Sequence, residues 1–143
     1  MLPRQRKKKD SFEENDEVWA VFDRDEHPNF NSAVNDCEQN GIGVARSNPC
    51  FELWLILHYE DYDRPLGRHD VQAHLQSING SYDPKIGKRL VVEQLSERCE
   101  AAEIRAERQI DRREQEGGRS NPPSTTMYLL TRSLRRPGRV SVT

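Results

Sequence analysis

The chain has 143 residues, of which 34% are hydrophobic and 32% are charged, as expected for one domain with a modest core. The 22 basic and 24 acidic residues give a net charge of −2, so bulk charge neither indicates nor excludes nucleic-acid binding. Three widely spaced cysteines without a C-x-x-C pair argue against a disulfide framework or a zinc ribbon. The most apolar stretch, CFELWLILHY, is far shorter than the roughly 20 residues that span a bilayer. We therefore expect a cytoplasmic protein without a membrane segment.

The first third of the chain has the pattern of a parallel sheet. After a charged lead-in (residues 1–16), EVWAVF over 17–22 is apolar on both alternating faces, which predicts a central strand covered by helices on both sides. A helix is predicted over 29–40, with Gly41 as its stop signal, and IGVARS over 42–47 is predicted as the next strand. This strand–helix–strand spacing predicts parallel pairing.

The remainder of the chain is predicted to be mainly helical. Asn48 is a candidate N-cap and Pro49 a candidate first residue of a buried helix that extends to Tyr59. Further helices are predicted over residues 69–78, 88–116 and 125–134. The apolar stripe of the long helix is thin and rich in alanine, so this helix is expected to pack on a surface or to project from it.

The first predicted strand ends in the acidic pattern Asp23-Arg24-Asp25. In open α/β sheets, ligands bind outside the carboxyl ends of the strands. Mg²⁺ prefers oxygen ligands and needs only one or two protein carboxylates, with phosphate oxygens and water completing its shell. Asp23 and Asp25 are therefore candidate metal ligands for phosphoryl chemistry. The alternative is an acidic turn that caps the next helix, and the residues alone leave both interpretations open.

Four other residues are candidates, each with a structural alternative. Glu52 either complements the N-terminal dipole of its helix or points with Asn48 toward the same cleft as Asp23. His58 lies at the far end of that helix as a catalytic candidate or a core histidine. Lys85, in a predicted loop, either contacts phosphate or faces solvent.

Five segments carry a resemblance to a known family. They are EVWAVFDRDEHPNFNSAV, GIGVARSNPCFELWLILHYED, RHDVQ, YDPKIGK and NPPSTTMYLL, in this order between residue 17 and about residue 132. In these segments the chain resembles the RloB-like family of bacterial proteins associated with restriction and phage-defence loci. The resemblance implies a Toprim-like fold, a parallel sheet flanked by helices with a helical C-terminal half. It also implies Mg²⁺, or Mn²⁺, on Asp23 and Asp25, and it makes Glu52 a stronger site candidate.

The sequence departs from the family pattern before the Asp23 strand. Family members begin with a strand that ends in a glutamate, the general acid/base candidate, followed by a helix, and no matching segment occurs here. We therefore expect an incomplete Toprim-like domain over 17–132, followed by a basic tail over 133–143. Such an incomplete domain is expected to fold poorly, to pair with another copy or to lack activity.

The function implied by the resemblance is Mg²⁺-dependent cleavage of DNA or RNA phosphodiesters in phage defence. The catalytic candidates are Asp23, Asp25, Glu52 and His58. The candidate substrate contacts are Asn48 and Lys85. The alternative is a non-catalytic module that binds nucleic acid or a partner defence protein such as an ATPase. Assembly into a homo-oligomer is a further expectation, and whether this chain is itself an enzyme stays open.

Overall fold

Strands and helices alternate in the N-terminal half of the protein, and helices dominate the rest. The computed structural model describes residues 17–26, 28–79 and 92–136. The elements, in chain order, are β1 (Trp19–Asp23), a 3₁₀ turn (Arg24–Glu26), α1 (Phe30–Gln39), β2 (Gly43–Asn48), α2 (Glu52–Leu57), α3 (Arg68–Ile78), α4 (Val92–Gln115), β3 (Ser124–Thr125) and α5 (Met127–Leu134). This architecture confirms the predicted α/β class. Among the described residues, no helix is both long enough and apolar enough to cross a membrane.

The sheet is organised around β2, with β1 on one side and β3 on the other. β1 and β2 pair in parallel, with Trp19 opposite Gly43 and Asp23 opposite Ser47. β3 is a short antiparallel addition in which Thr125 lies opposite Ser47. The parallel pairing of β1 and β2, connected through α1, confirms the strand–helix–strand prediction. The more specific Toprim-like assignment stays a prediction.

The predicted central position of β1 is wrong for the part of the chain that the structure describes. There β1 pairs only with β2 and forms an edge of the sheet, and the Val21 side chain is 54% exposed. Apolar alternation shows which side chains tolerate burial, but it does not show how many strands or helices flank them. Trp19 is the β1 residue that packs against the core.

The predicted helix start at Asn48 and Pro49 is also wrong. β2 continues through Asn48, because this residue pairs with Ser124 of β3. The first helical turn closes later, where the Leu53 amide donates to the Cys50 carbonyl at 3.1 Å, and α2 begins at Glu52. A strand partner 76 positions away is not visible in local capping signals, so the local pattern favoured the helix.

The core is centred on α2, as predicted from its nearly continuous apolar sequence. α3 and α4 pack against it. The fully buried apolar side chains of these three helices are Leu53, Ile56, Leu57, Val71, Leu75, Ala102 and Ala106. The small alanines allow α4 to approach α2 closely, and this confirms the prediction that the long helix packs on a surface.

Polar side chains of α4 supply much of its remaining contact with the rest of the protein. Arg105 donates to the Leu57 carbonyl at 2.6 Å, and Gln109 donates to the Tyr62 carbonyl at 2.6 Å. Both carbonyls belong to the α2 C-terminus and the segment after it, whose backbone groups need partners once buried. α4 thus stabilises the irregular chain after α2 through hydrogen bonds as well as through its thin apolar stripe.

Candidate functional site

The carboxyl ends of β1 and β2 bring two acidic segments together. Asp23 is the last residue of β1, and the 3₁₀ turn follows it directly. The chain leaves β2 at Asn48, passes Pro49 and enters α2 at Glu52. The Asp25 amide donates to the Pro49 carbonyl at 3.2 Å, which ties the two connections together. Parallel pairing therefore places Asp23 beside the start of α2.

Asp23 lies in an environment that opposes its ionisation. Burial is the main cause, followed by repulsion from the carboxylates of Glu26 and Glu52, and together they raise the pKa of Asp23 from 3.8 to about 6. The Phe51 amide, which donates to the Asp23 carboxylate, and the Arg68 guanidinium act in the opposite direction but do not compensate. Asp23, Glu26 and Glu52, called here the carboxylate cluster, thus lie close enough to interact.

Glu52 is the most deeply buried member of the carboxylate cluster, with 2% of the residue exposed. It lies in the first turn of α2, where the helix dipole favours a negative charge. The Cys50 thiol makes a hydrogen bond with its carboxylate, and burial, followed by repulsion from Glu52, raises the pKa of Cys50 far above its ordinary value. Cys50 therefore stays a neutral thiol that supports Glu52 and is not a nucleophile.

Cysteine reactivity provides a direct check of this environment. In the native protein, alkylation by iodoacetamide is expected to modify the half-buried Cys37 before the fully buried Cys50, because only an accessible thiolate reacts. Mass spectrometry of peptides from a time course of labelling measures both rates, with a urea-unfolded sample as the control. Equal rates in the native protein would contradict the buried, neutral thiol.

Arg68 is a member of the site that the sequence interpretation missed. It is the first residue of α3, and its guanidinium donates to the Glu26 carboxylate at 2.7 Å. The same guanidinium interacts with the charge of Asp23. The predicted helix over 69–78 began one residue after Arg68, and no local spacing connects Arg68 with Glu26, 42 positions earlier. Its presence in the RHDVQ segment of the family pattern was the available signal.

Asp25 occupies a more open position than Asp23. Its side chain is exposed on the 3₁₀ turn. The charged side chains that shift the pKa of Asp23 are Glu26, Glu52 and Arg68, and Asp25 is not among them. Within the described residues, no group of three or more His, Cys, Asp and Glu side chains is placed to hold a metal ion. A shared metal site of Asp23 and Asp25 stays a prediction.

The other predicted site residues lie outside the carboxylate cluster or outside the described chain. Asn48 donates its side-chain amide to the Ser120 carbonyl at 2.8 Å. His58 is buried, its Nδ1 lies 2.8 Å from the Trp54 carbonyl oxygen, and its ring packs edge-on against the Trp54 indole. Burial lowers the pKa of His58, as expected for a core histidine that stays neutral. Lys85 falls outside the described residues.

The fold and this site define a small α/β protein in which a half-buried and a buried carboxylate, with an arginine beside them, lie at the carboxyl end of a strand. The chain belongs to the RloB-like family, since the family model described as RloB-like protein matches residues 2–134. This match confirms the resemblance found in the sequence and begins within the predicted lead-in. Neither the search of curated proteins nor the search of solved structures found a match.

Proposed function

We propose that this protein is a Mg²⁺-dependent nuclease of the Toprim type, which cleaves phosphodiester bonds of nucleic acid in phage defence. The observation that supports this proposal is the convergence of Asp23 and Glu52 at the end of β1, with the pKa of Asp23 raised to about 6. Two carboxylates that lie close enough to disfavour each other's charge can share a divalent cation, which would offset that repulsion. The resemblance to a family associated with phage-defence loci supports invading nucleic acid as the substrate.

The chemistry of the donors fits a hard divalent cation. Asp23 and Glu52 offer carboxylate oxygens, and one or two such groups suffice for Mg²⁺, which keeps several waters. Mn²⁺ is accepted by the same kind of ligands. The Phe51 amide holds the Asp23 carboxylate through a hydrogen bond, so Asp23 is positioned before the cation arrives. Asp25 and Glu26 add two exposed carboxylates on the adjoining 3₁₀ turn.

The charges at this site determine whether the cation or the nucleic acid binds first. Three carboxylates lie near one guanidinium, so without a bound cation the cluster would repel a polyanionic phosphate backbone. A bound Mg²⁺ would polarise a phosphate oxygen and lower the pKa of a bound water. Nucleic acid is therefore expected to bind after the cation. Asn48, His58 and Lys85 stay predictions that this proposal does not require.

Cation binding is the first test of this proposal. Isothermal titration calorimetry with Mg²⁺ and with Mn²⁺ is expected to show binding to the wild-type chain. Asp23→Asn and Glu52→Gln each remove one negative oxygen ligand and should weaken that binding by at least about tenfold. Asp25→Asn decides whether Asp25 is a third ligand, since only a ligand should weaken binding comparably.

Asp111→Asn is the matched control, since it removes an equal charge from an exposed position on α4 and should leave the affinity unchanged. Circular dichroism must show that every variant is folded. Cleavage of single-stranded DNA, duplex DNA and RNA is then compared with Mg²⁺ and with EDTA. A folded wild-type chain that binds neither cation would overturn the proposal.

A non-catalytic binding module is the second candidate function. It is favoured by the absence, within the described residues, of a group of three metal-binding side chains. The exposed face of α4, where Ile104 is 47% exposed, would then be the interaction surface for nucleic acid or for a partner defence protein. Nucleic-acid binding that is unaffected by EDTA, together with no cleavage, would support this candidate over the nuclease.

A further inference from the structure

Arg68 lies beside the carboxylate cluster, in a position that the stability of the fold does not require. Its side chain is 25% exposed and its partner Glu26 is 57% exposed. Ion pairs that are open to solvent contribute little to stability. Arg68 nevertheless places a guanidinium close enough to interact with the charge of the half-buried Asp23. A positively charged side chain at this point is suited to binding an anionic ligand.

The planar guanidinium group matches the geometry of a phosphate better than that of a single carboxylate oxygen. Arginine presents five donors in a fork that can bind two phosphate oxygens at once. In the structure one Arg68 nitrogen donates to one Glu26 oxygen at 2.7 Å. Glu26 is the hydrogen-bond partner of the Arg68 side chain among the described residues, and Asp23 lies close enough to interact with its charge, so the other nitrogens can donate to a ligand at this site.

We propose that Arg68 is the phosphate-binding residue of this site and that Glu26 holds it in the absence of substrate. When a divalent cation neutralises Asp23 and Glu52, Arg68 exchanges the Glu26 carboxylate for an oxygen of a nucleic-acid phosphate. This inference rests on the proposed function, because it requires the cation and a phosphodiester ligand at the carboxylate cluster. It names the group that contacts the phosphate and predicts that this contact depends on the cation.

The exchange follows from the charge of the site, which differs without and with the bound cation. Without the cation, Glu26 holds Arg68 through an ion pair, and the three carboxylates of the cluster repel phosphate. With the cation bound, the cluster attracts anions, and the phosphate competes with Glu26 for the guanidinium. Glu26 lies largely in solvent and is hydrated after release at little energetic cost.

Binding measurements with the whole chain test the inference. The probes are fluorescein-labelled single-stranded DNA and RNA, followed by anisotropy, with Ca²⁺ in place of Mg²⁺ to limit cleavage. Arg68→Ala is expected to weaken binding by about tenfold and to reduce the slope of log affinity against log salt by about one. In EDTA, the same substitution should change nothing, since Glu26 then holds the guanidinium. Arg68→Lys keeps the charge and should retain the salt slope while losing part of the affinity.

Arg64→Ala is the matched control, since it removes an exposed arginine whose guanidinium carbon lies over the Tyr62 ring, 5.7 Å from the ring centroid. Calorimetry with Mg²⁺ accompanies each variant, and Arg68→Ala should bind the cation at least as tightly as wild type. If Arg68→Ala and Arg64→Ala bind nucleic acid equally well in Ca²⁺, or if the Arg68 effect persists in EDTA, this inference alone is overturned. If the wild-type chain binds neither cation nor nucleic acid, the proposed function is overturned with it.

Discussion

Glu103→Ala is expected to lower the free energy of unfolding by about 2–3 kcal/mol. The Glu103 carboxylate is buried on α4 and accepts hydrogen bonds from two nitrogens of Arg135, at 2.5 and 2.9 Å, and from the Thr131 hydroxyl at 2.6 Å. These bonds attach α5 to α4. The substitution leaves the Thr131 hydroxyl and the Arg135 guanidinium without their buried acceptor, although Arg135 can partly regain water because 45% of its side chain is exposed. Urea unfolding followed by circular dichroism measures the loss.

Glu100→Ala is the matched control for this prediction. Glu100 lies on the same helix and approaches the same Arg135 at 3.9 Å, but its side chain is 83% exposed, so its removal should cost less than about 0.5 kcal/mol. Burial opposes the ionisation of Glu103, yet the hydrogen bonds from Arg135 and Thr131 outweigh it and lower its pKa. The advantage of wild type over Glu103→Gln should therefore be present above pH 4.5 and disappear as the pH falls through the lowered pKa. Equal losses for the Glu100 and Glu103 alanine variants would contradict the buried network.

Helices and the parallel strand pair could be predicted from the sequence because their signals are local. The predicted bounds of α1, 29–40, agree with the observed Phe30–Gln39, and those of α3, 69–78, agree with Arg68–Ile78. Periodicity and stop signals determine such segments. β3 was not predicted, since two residues, Ser124 and Thr125, become a strand only through pairing with β2.

The buried polar side chains of α4 were equally invisible to the sequence pattern. An apolar stripe identifies alanines and Ile110 as buried, but it cannot show that Glu103, Gln109 and Arg113 are buried too. Each of these side chains is buried because of a partner far along the chain, such as the Tyr62 carbonyl for Gln109 and Asp63 for Arg113. Long-range pairing therefore limits what periodicity can predict.

The candidate site could be predicted in part, for the same reason. Asp23 and Glu52 follow parallel strands, so a topological rule places them at one edge of the sheet. The rule does not extend to Arg68, which reaches the site from a helix outside the strand–helix–strand unit. It also does not distinguish the half-buried Asp23 from the exposed Asp25, because that difference depends on the packing of the β2–α2 connection around Asp23.

Asp23 is held at a cost to stability, which the sign of its pKa shift makes measurable. Its pKa is raised from 3.8 in the unfolded reference to about 6 in the fold, so between these values the folded state binds more protons than the unfolded state. Stability therefore falls as the pH rises through this window and stays reduced above it. A destabilising charge that is retained in a fold is typical of residues kept for function.

Asp23→Asn is accordingly expected to raise the free energy of unfolding near pH 7, by about 1–2 kcal/mol once solvent screening is allowed for. Asparagine keeps an oxygen for the Phe51 amide and removes the repulsion from Glu26 and Glu52. The gain should vanish below pH 3.8, and the exposed Asp25→Asn should change stability by less than about 0.5 kcal/mol. Urea unfolding across this pH range measures both variants.

Added Mg²⁺ should stabilise the wild-type chain through binding to the folded state, but not Asp23→Asn. A variant that is less stable than wild type at pH 7 would show that a compensating partner holds the Asp23 charge, whereas a stabilised variant that no longer responds to Mg²⁺ would link the cost in stability directly to cation binding.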